Sequence, residues 1–189
     1  MNDERARLFV ALELPVGVRS ALASWRDQAL RDLSGVRPVA DESLHVTLCF
    51  LGWVAVEQLD AVAQACAVVD GAPVVRLRVG RGIWLPSRRP RVLAVELEDV
   101  GGRLAAVQSA LSDVLVAGGW YEPEQRPFLP HVTVARVGRG ARLPRRGSEV
   151  GEVDQDGELE FTGSTVTLFR SRLSPAGSRY EGLASVQLA

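Results

Sequence analysis

Apolar side chains fall on every second position from Arg7 to Leu14 (Leu8, Val10, Leu12, Leu14), which predicts a strand with one buried face. Pro15 ends that strand and opens a helix whose buried stripe is Val18, Leu22, Trp25, Ala29 and Leu33, stopping near Gly35. Val36–Val39, interrupted by Pro38, reads as a short edge strand. A strand over 44–51 comes next, closed by Gly52, and then a helix carrying Leu59, Val62, Cys66 and Val69 up to Gly71. Val75, Leu77 and Val79 alternate against Arg76 and Arg78 in a strand over 73–84; a turn over 86–90 leads to a strand over 91–98. Leu104, Val107, Leu111 and Val114 mark a third helix, terminated by Gly118 and Gly119. A proline-punctuated loop delivers a strand over 128–136. The stretch 138–157, glycine-rich and basic and then acidic, is expected to be a solvated loop. Strands over 158–161 and 165–170 read as a hairpin-like pair, and 183–188 adds a last strand.

Within the strand over 128–136, period-2 alternation sets His131 and Thr133 on one face and Val132 and Val134 on the other. The same triplet, His45-Val46-Thr47, stands 86 positions earlier, with Leu44 and Phe50 expected on the apolar face. The chain contains two histidines, and each lies in a His-Val-Thr. A weaker repeat precedes each motif: Ala11-Leu12-Glu13-Leu14 matches Ala94-Val95-Glu96-Leu97 at an offset of 83. Each half therefore reads strand, helix, His-x-Thr strand. A duplicated unit folded about a pseudo-two-fold axis brings both His-x-Thr faces to one cleft.

Composition changes this picture little. The 189 residues suffice for one generous domain or two small lobes sharing a core. A net charge of −1 argues against coating long nucleic acid by bulk electrostatics. All 22 basic residues are arginine, so a side-chain cation holding an anion here is a guanidinium. Cys49 and Cys66 form no disulfide framework and lack metal-ligand spacing; with no apolar run near the roughly 20 residues that span a bilayer, a cytoplasmic protein with no membrane contact is expected.

Two imidazoles flanking one reacting atom make a general base and a general acid for an in-line displacement. The threonine two residues after each histidine adds a hydroxyl suited to a tetrahedral anion. No phosphate-cradling glycine loop and no carboxylate cluster accompanies them, so no metal or other cofactor is expected. Phosphate esters fit, above all one whose leaving group is strained or tethered, as in a 2′,3′-cyclic ribose phosphate.

These motifs resemble the paired His-x-Thr-x signatures of the 2H phosphoesterase superfamily, at 45–48 and 131–134. The segments 7–15, Arg37-Pro38-Val39 with 44–52, 130–136 and 171–180 are similar to its RNA 2′,3′-cyclic phosphodiesterase branch, also called 2′-5′ RNA ligase. The resemblance implies an α+β, bilobal duplicated fold, with two antiparallel sheets lining a central cleft and helices outside. It implies a single domain over 1–189 whose two pseudo-symmetric lobes exchange segments. It further implies metal-independent opening of an RNA terminal 2′,3′-cyclic phosphate to a 2′-phosphomonoester, with His45 as proton donor, His131 as proton acceptor, and Thr47 and Thr133 holding phosphate oxygens. Replacement of water by a 5′-hydroxyl would give reversible 2′-5′ ligation. The expected partners are RNA ends bearing a cyclic phosphate, tRNA fragments among them, met by a monomer.

Arg136 belongs to the second motif and is a candidate substrate contact. Strand parity puts it with Val132 and Val134 on the buried face, so it reaches an anion only where the strand bulges or ends; otherwise Glu13 or Glu96 would pair with it. Parity also sets Cys49 on the face of His45 and Thr47, as a small filler of the cleft floor. Arg88, Arg89, Arg91, Arg139, Arg142, Arg145 and Arg146 are candidate backbone contacts, and Trp84, Trp120 and Tyr121 candidate stacking surfaces. The alternatives are a phosphodiesterase for 2′-5′ oligonucleotides or a small cyclic nucleotide, a non-catalytic RNA-end binder, and a metallo-phosphoesterase.

Overall fold

The computed structural model describes residues 4–143, 150–153, 159–174 and 177–189. In chain order they form β1 (Arg5–Glu13), α1 (Val16–Ala29), β2 (Ser34–Pro38), β3 (His45–Ala55), α2 (Leu59–Cys66), β4 (Val75–Leu85), β5 (Val92–Asp99), α3 (Arg103–Ala117), β6 (His131–Arg142), β7 (Glu160–Gly163), β8 (Thr165–Ser174) and β9 (Gly177–Gln187).

The described strands build one antiparallel sheet in the spatial order β7-β4-β5-β6-β3-β1-β8-β9, with β2 alongside β6. The α+β class with antiparallel sheets is the one that forms, but the two sheets are joined. Their seam is narrow, since β3 and β6 pair at Val46 and Val132. Because that pairing is antiparallel, the two motif strands run away from the seam in opposite directions.

The helices cover one face of the sheet with much of the stripes their periodicity predicts, although α1 ends at Ala29 and leaves Leu33 beyond it. Val18 and Leu22 of α1, Val62 and Cys66 of α2, and Leu104, Val107 and Leu111 of α3 are buried against Leu8, Val10, Leu12, Val46, Val95 and Val132. Each such leucine or valine contributes about 1.5–3 kcal/mol by leaving water. In α3 the last buried position is Leu115, while Val114 is only partly buried. The start of α3 takes its cap from outside the helix: the Asp99 carboxylate accepts the backbone N–H groups of Leu104 (3.2 Å) and Ala105 (2.9 Å).

Four expectations change. The strands β7 and β8 are not hairpin partners, since β7 pairs with β4, and β8 pairs with β1 and β9. The strand β1 buries both faces, because Phe9 and Ala11 are as enclosed as Leu8, Val10 and Leu12. Gly52 does not end β3, which continues to Ala55. Residues 138–142 are not loop but the end of β6. Of the remaining stretch to 157, residues 143 and 150–153 are described, with a bridge between Arg81 and Glu152; the rest lies outside the described residues.

The short internal repeat reappears in the pairing. Ala11 pairs with Thr47, Leu12 with Val46 and Glu13 with His45. In the other half, Ala94 pairs with Thr133, Val95 with Val132 and Glu96 with His131. Each pairing then slips by one residue, at Leu48 against β1 and at Val134 against β5. A bulge of this kind reverses the parity of the strand beyond it.

Candidate active site

Both histidines are anchored the same way. The Nδ1 of His45 donates to the Ser43 carbonyl oxygen at 2.7 Å, and that of His131 to the Leu129 carbonyl oxygen at 2.8 Å. A carbonyl only accepts, so each neutral ring carries its proton on Nδ1 and offers a bare Nε2. The Nε2 of His45 accepts from the Thr47 hydroxyl at 3.1 Å.

His45 is packed among aromatic rings. Phe9 stacks on it with centroids 4.8 Å apart, and Tyr180 meets it edge-on at 5.3 Å. Phe9 also stacks on Phe169 at 5.3 Å. This burial pushes the imidazolium pKa down to about 4. The Ser43 carbonyl works against that shift, and the nearby charges of Arg136 and His131 add to it.

The bulges decide where the neighbours point. Past Val134 the parity of β6 flips, so Ala135 turns into the core and Arg136 is exposed on the cleft side. Arg136 therefore satisfies the condition set by its sequence position. It does not pair with Glu13, whose carboxylate accepts from the Thr167 hydroxyl (2.6 Å), or with Glu96, which pairs with Arg81 (3.1 Å). Past Leu48 the same flip turns Cys49 into the core and Phe50 out to the cleft, reversing both expectations. Burial pushes the Cys49 thiol up to about 12 and the Cys66 thiol to about 11, so neither is a nucleophile near neutral pH.

His45 lines a cavity of about 410 Å³ with Ser43, Phe169 and Tyr180, and two further cavities adjoin the motif strands. One of about 740 Å³ is lined by Thr47, Phe50, Tyr121, Phe128 and His131, with Arg91 and Arg126 at its wall. Another of about 940 Å³ is lined by Arg37, Arg136, Arg139, Ser43 and Tyr180. Arg37 and Arg136 sit directly opposite each other in the β2–β6 pairing, and among the described residues neither makes an ion pair. Like charges in register are unfavourable, and an anion between them removes the penalty. Of the other candidate contacts, Arg91 and Tyr121 line the first cavity and Arg139 the second, whereas Arg88 and Arg89 line neither. Trp84 and Trp120 pack against the core. The Arg142 side chain, Arg145 and Arg146 lie outside the described residues. Among the described residues no three His, Cys, Asp or Glu side chains gather as a metal site, and no helix is long and apolar enough to cross a membrane.

A family model for the 2′-5′ RNA ligase superfamily matches residues 15–174. The chain belongs to that superfamily. It is 33% identical over 192 residues to the RNA 2′,3′-cyclic phosphodiesterase of Thermus thermophilus, covering 96% of this chain and 90% of that protein. It is 31% identical over 182 residues to the Escherichia coli enzyme of the same name, covering 96% of each. Among solved structures, E. coli LigT complexed with 3′-AMP superposes with a TM-score of 0.76 at 26% identity, over 98% of this chain and 99% of that one. TT0787 of T. thermophilus superposes with a TM-score of 0.75 at 30% identity, over 96% and 97%.

This superfamily member also holds groups that sequence reasoning missed. The carbonyls of Ser43 and Leu129 fix the tautomers, yet any residue supplies a carbonyl. Phe9 and Phe169 enclose His45 from β1 and β8, as members of strands whose pairing no local pattern reveals. Tyr180 lies inside one of the segments that carried the resemblance, so a signal for it was present.

Proposed function

We propose that this protein hydrolyses the terminal 2′,3′-cyclic phosphate of RNA to a 2′-phosphomonoester, with His45 and His131 as the acid–base pair and without a metal ion. The observation that carries the reading is the matched anchoring of the two imidazoles, which presents two bare Nε2 atoms from pseudo-equivalent positions. Water attacks phosphorus in line with the 3′ oxygen. His131 takes a proton from that water, the bond from phosphorus to O3′ breaks, and His45 supplies the proton that O3′ needs. Thr47, Thr133 and Arg136 hold the non-bridging oxygens. A 5′-hydroxyl in place of water makes a 2′-5′ linkage by the same transfers.

One feature of His45 shapes this mechanism. With a pKa near 4 in the empty site, it is neutral at pH 7 and cannot donate. A phosphate anion beside the ring favours the imidazolium against the burial and the Arg136 charge that hold its pKa down, so the proton arrives on His45 together with the substrate.

The test is a short RNA ending in a 2′,3′-cyclic phosphate, incubated in EDTA with the wild type, His45→Ala and His131→Ala, with 2′- and 3′-phosphate products separated. Turnover to the 2′-phosphate by the wild type, reduced about 10²–10⁴-fold in each variant, is expected. Turnover that requires added metal, or that survives both substitutions, overturns the reading.

A further inference from the structure

A second bulge shapes β3. Beyond Leu48 the register against β1 slips again at Leu51, so that Gly52 pairs with Leu8 and Trp53 with Arg7. Gly52 has φ +70° at this point, a conformation that favours glycine. The two slips place Thr47, Phe50 and Trp53 in one row on the cleft face, continuing from His45, although a regular strand would turn Phe50 inward.

Phe50 is 46% exposed and Trp53 is 59% exposed. Arg7 lies beside both: its guanidinium sits 4.7 Å from the centre of the Phe50 ring, and one N–H donates to the Ser171 hydroxyl at 3.4 Å. The positions 86 further on, in β6, are Arg136 and Arg139. The duplicated scaffold therefore does not itself require an aromatic at either place. One arm of the cleft is aromatic and the other is cationic. An open indole in line with a catalytic row is apolar surface with a flat face that a nucleobase covers well.

We propose that Trp53 is the stacking platform for the nucleobase that precedes the terminal nucleotide of an RNA 3′ end. The inference rests on the proposed reading, with the terminal nucleoside in the cavity of about 740 Å³ that Phe50 lines. From Phe50 to Trp53 the advance along β1 is from Phe9 to Arg7, about 6.8 Å, the scale of one extended nucleotide step. Arg7 has N–H groups beyond the one given to Ser171 with which to meet the phosphate joining the two nucleotides. Because every base has a flat face, the platform selects for chain length, not sequence.

The experiment compares adenosine 2′,3′-cyclic phosphate with an oligoadenylate of the same terminus, as substrates of wild type, Trp53→Ala and Trp53→Phe. The oligomer has the lower KM with wild type. Trp53→Ala raises its KM roughly tenfold, moves the mononucleotide's KM by less than about threefold, and Trp53→Phe recovers most of the loss. Binding of the oligomer bearing a 2′-phosphate, followed by calorimetry, reads the same contact without turnover. Equal KM values for the two substrates, or an oligomer whose KM and binding ignore Trp53→Ala, overturn the proposal and leave the hydrolase reading intact. Absence of turnover with binding weakened in Trp53→Ala does the reverse.

Discussion

Leu48 and Val134 are pseudo-equivalent bulged residues, each the third after a motif histidine and each an extra residue against its partner strand. The bulge lets the apolar side of each motif strand keep its core contacts while the next outward residue is re-aimed at the cleft. On β6 that residue is Arg136, and on β3 it is Phe50.

Arg136→Ala removes the proposed charge-assisted contact to the substrate phosphate, of a kind worth about 1.5–3 kcal/mol, so the expected fall in kcat/KM is roughly 10- to 100-fold. Arg136→Lys recovers only part of it, since an ammonium cannot make the paired contact of a guanidinium. Because Arg136 lowers the pKa of His45, its removal raises that pKa, which NMR titration of the imidazole reads directly. An unchanged His45 titration would mean the two charges do not communicate.

His45 titrates near 4 in the ligand-free protein, below the ordinary 6.5 it has when unfolded. The unfolded chain thus binds more protons between these values. The contribution of this group to stability is complete above pH 6.5 and is lost as the pH falls through 4, by up to about 3 kcal/mol. Urea unfolding at pH 7 and pH 4.5 should show a smaller pH dependence in His45→Gln than in the wild type. Addition of inorganic phosphate or a nucleotide 2′-phosphate at pH 6 should be accompanied by proton uptake, seen as a buffer-dependent binding enthalpy. Binding without proton uptake would argue against delivery of the donor proton with the substrate.

Cys49 and Cys66 are spectators. Their buried thiols stay protonated at neutral pH, so a thiol reagent leaves the native protein unmodified, and Cys49→Ala keeps activity within about threefold at a modest cost in stability. Inactivation by the reagent in step with labelling of Cys49 would contradict this placement.

Much of this arrangement is legible in the chain. The helix stripes from Val18 to Leu22 and from Leu104 to Leu111, the paired His-Val-Thr strands and the offset repeat that begins at Ala11 and Ala94 all emerge from periodicity. Parity failed beyond the motifs. A bulge inserts one residue without a local signature, so Cys49 and Phe50 exchanged the faces that alternation gave them, and Arg136 came out to the cleft. The alternation in β1 likewise marked Leu8, Val10 and Leu12 but left Phe9 to solvent; tertiary pairing with β8 and the His45 ring encloses it. Arg37 drew attention only as part of a resemblance, since its register opposite Arg136 depends on a strand pairing that crosses between the halves.

The central claim is that the two pseudo-equivalent histidines have different jobs, His45 giving a proton to the 3′ leaving atom and His131 taking one from water. A cyclic substrate with sulfur at the 3′ bridging position has a leaving group that needs no protonation. The direct measurement is the turnover of that substrate by His45→Ala and His131→Ala, each relative to its rate on the oxygen substrate. The account predicts that sulfur restores His45→Ala to within about tenfold of wild type and leaves His131→Ala impaired. Rescue of His131→Ala instead, or of neither variant, would contradict it.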